Sequence, residues 1–276
     1  MKDVVVLYHA DCWDGFGAAW AAWKRFGKKA EYIPVSYEKD SPKGLTNKEI
    51  FLVDFCYDKG LMKKIISRNK KVVVIDHHVS RRDFVEGTKG WVYGTDNSGA
   101  VLSWKYFHPE KKIPKLLNYV EDNDLWKFKL WKSKEAILAA DVLPYKFEIW
   151  DKLARDFENR RKFLEYVKKG EAILEYIKMI VDVLVEKGDR VVFEGKKSLA
   201  VNAPHLLASD IGNAIVKKGF PMGIVWYKEN DGIHVSLRAQ GKVDVSKIAV
   251  KYGGGGHKNA SGFAWPENKK FPWKVI

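Results

Sequence analysis

Three short apolar runs rich in β-branched residues constrain this chain's fold most: Val4 to Tyr8, Ile50 to Asp54 and Val72 to Asp76. Runs of this length without polar alternation suit strands buried on both faces, the usual state of a parallel sheet. Stretches at helical spacing lie between them. Asp14 to Phe26 places Phe16, Ala19, Trp20 and Trp23 on one side, and Asp58 to Asn69 does the same with Leu61, Ile65 and Ile66. Strand, helix, strand, helix with short links predicts a parallel α/β sheet.

Further on, Ser98 to Phe107 and Pro114 to Val120 read as helices. A charged helical stretch runs from about Glu135 to Lys187, with Leu153, Phe157, Leu164, Val167, Ile173, Ile177 and Ile180 as its expected core positions, and Gly188-Asp189 ends it. Strand patterns follow at Arg190 to Phe193, Leu199 to Asn202, Gly223 to Tyr227 and Ile233 to Ala239, with a helix near Ser209 to Lys218. At 276 residues the length suits two domains. The expected layout is an α/β chain with a parallel-sheet domain at 1–150, a helical connector at 151–187 and a smaller α/β domain at 188–276.

No stretch reaches the roughly 18 apolar residues of a membrane helix; Gly15 to Trp23 stops at Lys24. The opening Met-Lys-Asp-Val-Val-Val-Leu-Tyr-His is a strand and too short for a signal peptide. Two cysteines make no disulfide framework, so a reducing cytoplasm is the expected setting. The net charge of +14 favours anionic partners, and it is unevenly spread. Residues 187–276 hold 15 Lys/Arg against 7 Asp/Glu, more than half of the excess.

All three apolar runs end in residues that bind metals: His9-Ala10-Asp11-Cys12-Trp13-Asp14-Gly15, Val53-Asp54-Phe55 and Ile75-Asp76-His77-His78. In an open parallel sheet, ligands sit beyond the carboxyl ends of the strands, so these side chains should converge. Carboxylates with a minority of imidazoles suit Mn²⁺ or Mg²⁺ better than a structural Zn²⁺, and so many acidic groups favour two cations over one. The competing account has His and Asp capping helices beside an exposed His pair. Cys12, between the ligands, reads as a buried thiol, with a soft metal ligand as its alternative.

These motifs resemble the DHH phosphoesterase family, named for the triplet found here as Asp76-His77-His78. Its first motif is matched by residues 9–19, its second by Val53-Asp54 and a fourth by Tyr119 to Trp126. The run Gly253-Gly254-Gly255-Gly256-His257 resembles the glycine-rich signature of the DHH-associated C-terminal domain. The resemblance implies two Mn²⁺ ions, with Mg²⁺ or Co²⁺ as substitutes. His9 and Asp11 would hold one ion, Asp14 and His77 the other, and Asp54 would bridge them. Asp122 or Asp124 would add a ligand, His78 would meet the scissile phosphate, and Asp76 would orient a neighbouring imidazole. The first motif departs from the family's Asp-x-Asp-Gly by one residue, which weakens the role of Asp11.

In the second domain, the glycine run offers backbone N–H groups as a phosphate nest, with Gly254, Gly255, Gly256, His257, Asn259 and Ser261 as donors. Arg238 could clamp a phosphate, and Asn202 at a strand end is a further candidate contact. His108 is expected to act as a charge partner at a helix C-terminus. The tryptophans at 13, 20, 23, 104, 126 and 131 are expected mostly in the core, with one or two able to stack on bases. The expected function is a Mn²⁺-dependent phosphodiesterase acting on single-stranded nucleic acid or short oligonucleotides, as an exonuclease, with homo-oligomerisation left open. The alternatives are a small-nucleotide phosphatase or phosphodiesterase, taking 3′-phosphoadenosine phosphate, a cyclic dinucleotide or pyrophosphate, and a non-catalytic binding protein.

Overall fold

The computed structural model describes residues 1–36, 40–86, 88, 90–229 and 232–276. They divide into two compact units, Met1–Leu174 and Glu175–Ile276. Among the described residues, no helix is long and apolar enough to cross a membrane.

The first unit contains β1 (Val4–His9), α1 (Trp13–Phe26), β2 (Ala30–Val35), β3 (Glu49–Val53), α2 (Lys59–Arg68), β4 (Lys71–Asp76), α3 (Arg82–Val85), β5 (Gly90–Tyr93), α4 (Gly99–Phe107), α5 (Lys115–Asp124), α6 (Ser133–Asp141) and α7 (Phe147–Glu158), and α8 (Arg160–Glu186) begins in it. Its strands pair in the order β2-β1-β3-β4-β5, every pairing parallel. The chain alternates faces as the period of two requires. Val6, Phe51, Val53, Val73 and Ile75 pack with α1, α4, α5 and α7, while Val5, Leu7, Ile50, Leu52 and Val74 join Met62 and Ile65 of α2 in a separate core. Val5, Val6 and Leu7 are wholly buried, and burial of this kind is worth about 1.5–3 kcal/mol per side chain.

The three expected strands are β1, β3 and β4. The edge strands β2 and β5 went unforeseen: β2 carries Pro34, tolerable only where its missing N–H faces no partner, and β5 has four residues. Two other expectations need correcting. Leu164 is 43% exposed, and α8 buries Phe163 and Leu174 beside the expected Val167, a stripe at spacings of four and seven that leaves Leu164 about 100° away. His108 is a core residue. Its Nε2 lies 2.9 Å from the Ala21 carbonyl oxygen, its ring packs 4.3 Å from Trp104, and burial lowers its pKa, so it stays neutral and is no charge partner.

The end of α8 belongs to the second unit, where Val181 and Val185 pack with Ile211 and Ile215. There follow β6 (Asp189–Phe193), β7 (Lys196–Asn202), α9 (Ala208–Lys217), β8 (Met222–Glu229), β9 (Gly232–Ala239), α10 (Val245–Lys251), β10 (Gly255–His257), β11 (Ala260–Trp265) and β12 (Lys274–Val275). The sheet runs β10-β11-β9-β8-β7-β6-β12, with β7 and β8 parallel and the other pairings antiparallel. Part of the glycine run is therefore strand rather than open loop. Gly253 N–H donates to the Val250 carbonyl and Gly254 N–H to that of Ala249. These two amides finish α10, so the proposed phosphate nest loses them.

Candidate metal centre

The parallel register brings Tyr8, Val53 and Ile75 level, so His9, Asp54 and Asp76 leave the sheet side by side. Asp54 is 1% exposed and takes a left-handed backbone with φ 55°, a conformation costing about 1–3 kcal/mol in a non-glycine residue. His9 Nδ1 lies 3.4 Å from Asp54 Oδ2, and His77 Nε2 lies 3.3 Å from Asp54 Oδ1. His77 Nε2 is also 3.5 Å from Asp14 Oδ2 and 3.6 Å from Asp124 Oδ2. Donor atoms fall into three groups, each within 4.8 Å: His9, Cys12 and Asp54; Asp54, His77 and His78; and Asp14, His77 and Asp124.

The second unit is matched over residues 206–272 by the DHHA1 domain. The chain is 31% identical over 290 residues to an uncharacterized protein, R106, of Acanthamoeba polyphaga mimivirus, covering 95% of this chain and 67% of that protein. It is 22% identical over 294 residues to the oligoribonuclease NrnB of Bacillus subtilis, covering 93% and 71%. Its fold is similar to the solved DHH domain of a member of a family of ribosomal proteins, with a TM-score of 0.64 at 15% identity over 98% of this chain and 84% of that one. This chain belongs to the DHH phosphoesterase family. Enzymes of the DHH family depend on metal ions.

The donor set of this DHH protein fits such ions. Three carboxylates, Asp14 and Asp54 buried and Asp124 reaching the surface, crowd one site, and without cations they repel one another. Burial, with Asp54 and Asp124 close by, pushes Asp14 well above the ordinary carboxylate range. Asp124 is more exposed, but partial loss of hydration and the nearby Asp54 likewise raise it. Burial alone would also raise Asp54, but the imidazoles of His77, His9 and His78 outweigh it and hold Asp54 low. His77 answers in kind: burial opposes its charge, yet Asp54, Asp14 and Asp124 push its pKa up to about 10. Protons occupy the place that cations would take.

The supports of the centre are equally specific. Asp14 accepts hydrogen bonds from the N–H groups of Gly99 at 2.6 Å and Ala100 at 2.9 Å, the first amides of α4, where the helix dipole favours an anion. A Cβ on residue 99 would fall 2.6 Å from Asp54 Cβ, so only glycine lets α4 come this near. Glu121 holds the start of α4 by accepting from Ser98 N–H at 3.0 Å and Asn97 Nδ2 at 2.9 Å. Asp76, fully buried, accepts from the N–H groups of His77 and His78 and lies 2.7 Å from His78 Nδ1, which fixes that ring.

Two expected ligands stand elsewhere. Asp11 is exposed, with φ 51°, and Cys12 occupies the group it was expected to join. Asp122 turns back into the chain, its carboxylate accepting from Lys129 N–H at 2.9 Å and Leu130 N–H at 3.2 Å. Asp124 alone of that pair reaches the cluster. The amides of Gly99 and Ala100 were missed. The one trace of them in the sequence is a serine and glycine opening a helix, where Ser98 caps the chain.

In the second unit, His257, Ala260 and Arg238 share one row across β10, β11 and β9. Arg238 is largely buried, donates from Nη2 to Ser209 Oγ at 2.8 Å, and lies where a Cβ on residue 212 would come within 2.6 Å of its Cγ. Asn259 offers its carbonyl to Ala239 N–H, and Ser261 Oγ donates to the His257 carbonyl. Asn202 Nδ2 is spent on the Trp226 carbonyl at 3.0 Å. Of the tryptophans at 13, 20, 23, 104, 126 and 131, Trp20 and Trp104 are core and Trp13 and Trp23 half-buried, while Trp126 is 40% and Trp131 60% exposed.

Proposed function

We infer that this DHH protein is a phosphodiesterase that removes nucleotides from the end of single-stranded nucleic acid or short oligonucleotides. Two divalent cations, Mn²⁺ first and Mg²⁺ or Co²⁺ as substitutes, would supply Lewis acidity at the phosphate and a water acidic enough for in-line attack. His9 and Asp54 would hold one, Asp14, His77 and Asp124 the other. Asp54 turns one carboxylate oxygen to His9 and the other to His77, the placement a bridging carboxylate needs. His78, its ring held by Asp76, would meet a phosphate oxygen through its other nitrogen. Residues 1–150 would carry the chemistry, 151–187 the connection, and 188–276 the grip on the rest of the substrate through Arg238, Gly255, Gly256, His257 and Asn259.

One observation favours a polynucleotide over a small phosphate. Directly after Asp124, the segment 125–134 reads Leu-Trp-Lys-Phe-Lys-Leu-Trp-Lys-Ser-Lys, with four lysines and no acid. Trp126, Phe128 and Lys132 adopt left-handed backbone angles of 45–55°, and the segment is held by Asp122 and by Tyr119, whose hydroxyl donates to the Trp131 carbonyl. That structure keeps two tryptophans at the surface among cations, the composition of a surface on which bases stack and phosphates are neutralised. A gel of an end-labelled single-stranded oligoribonucleotide incubated with protein and Mn²⁺ tests the reading. A ladder shortening one nucleotide at a time from one end is expected. An intact oligonucleotide beside rapid turnover of 3′-phosphoadenosine phosphate, a cyclic dinucleotide or pyrophosphate would replace it with a small-phosphate reading.

A further inference from the structure

The donor groups at the ends of β1, β3 and β4 are not chemically alike. Asp14, His77 and Asp124 offer only oxygen and nitrogen, but the group of His9, Cys12 and Asp54 includes a sulfur. Cys12 Sγ lies 3.9 Å from Asp54 Oδ2, the oxygen that His9 Nδ1 approaches to 3.4 Å. Donors so spaced can surround one ion with bonds of roughly 2.0–2.3 Å. The local chain explains the placement. After β1, the left-handed turn at Asp11 sends that carboxylate to the surface. Cys12 then stands at the N-cap of α1 in extended conformation. Its sulfur faces the centre.

We propose that Cys12 is a ligand of the ion held by His9 and Asp54, so that the centre pairs a sulfur-containing position with one built only of oxygen and nitrogen. Binding forms a metal–sulfur bond and sends the thiol proton to solvent. The two positions then differ in preference. Thiolate with imidazole and one carboxylate suits Zn²⁺, Co²⁺ or Fe²⁺, whereas Asp14, His77 and Asp124 suit Mn²⁺ or Mg²⁺. The proposal rests on the metal-centre reading above and is independent of the substrate.

Cobalt reports it directly. Metal-free full-length protein is titrated with Co²⁺, the bound metal is counted by mass spectrometry, and the near-ultraviolet sulfur-to-cobalt charge-transfer band is recorded. The band is expected in the wild type and in Cys56→Ser, which removes the other cysteine of the chain. It is expected to vanish in Cys12→Ser and in Cys12→Asp, while Cys12→Asp still binds Co²⁺. From an equimolar mixture of Zn²⁺ and Mn²⁺, Cys12→Asp should retain at least tenfold less Zn²⁺ relative to Mn²⁺ than the wild type. Should Cys12→Ser fail to fold, iodoacetamide labelling of the wild type decides: saturating Zn²⁺ is expected to slow alkylation of Cys12 at least tenfold. Bound cobalt without the band, a band that survives Cys12→Ser, or alkylation indifferent to Zn²⁺ would overturn the assignment of Cys12 alone. Failure to bind any Co²⁺ would overturn the metal centre as well.

Discussion

Asp76 is a carboxylate with no exposed surface, and it uses one oxygen to hold the two residues that follow it and the ring of His78. Such a residue acts by positioning, and loss of a comparable partner costs roughly 10–100-fold in metal affinity or activity. Asp76→Asn is expected to lower kcat/KM in that range with an unchanged circular dichroism spectrum; a loss under threefold would remove Asp76 from the account. His77 gives a pH dependence. With its pKa near 10 in the metal-free protein, it carries a proton through the neutral range that a cation must displace. Apparent metal affinity should therefore climb from pH 6 to pH 9, with proton uptake by the buffer measurable calorimetrically; a flat profile contradicts this. The metal-free fold follows the opposite trend, since a histidine pKa raised above its unfolded value contributes stability below about 6.5 that is lost as pH rises through about 10. Sequence reasoning reached His9, Asp14, Asp54 and His77 because strand ends announce their position. It could not choose between Asp122 and Asp124, two residues apart, because the choice is made by the loop that Asp122 folds. The amides of Gly99 and Ala100 left no side-chain signature at all.

The segment 125–134 is the element where sequence and structure part most. Its tryptophans read mostly as core by spacing, with one or two able to stack on bases, yet three left-handed residues break any strand or helix period and leave both Trp126 and Trp131 exposed. Stacking on a base is worth about 1–3 kcal/mol, or roughly 5- to 150-fold in binding. Trp131→Ala is therefore expected to raise KM for an oligonucleotide within that range while leaving kcat for a small chromogenic phosphodiester unchanged. Equal effects on both substrates would make the residue structural. The three buried strands and most helices were legible because hydrophobic period alone specifies them. The edge strands β2 and β5 and the glycine-bearing β10 were not, since pairing with a neighbour, rather than their own pattern, makes them strands.

At the scale of the whole molecule, charge and chemistry are divided. The acidic cluster lies in the first unit, while residues 187–276, with 15 Lys/Arg and 7 Asp/Glu, carry most of the excess that makes the chain +14. If that surplus neutralises substrate phosphates, the affinity for a long oligonucleotide must fall linearly in log–log plots against salt, by about 0.7 per phosphate contacted, and hydrolysis of a small phosphodiester must scarcely respond. Equal salt sensitivity for both would remove the second unit's charge from substrate binding. The structure divides at 174/175, inside the stretch expected as a connector, and the change of pattern near residue 188 does not mark that join because α8 contributes to both cores. The central claim is that Asp54 ties two cations into one phosphodiesterase centre. The most direct measurement is metal content and oligonucleotide turnover of Asp54→Asn beside the wild type in Mn²⁺. The expected result is a folded variant with less bound metal and activity reduced by at least a hundredfold; a variant that keeps its metal and still produces the wild-type ladder would contradict it.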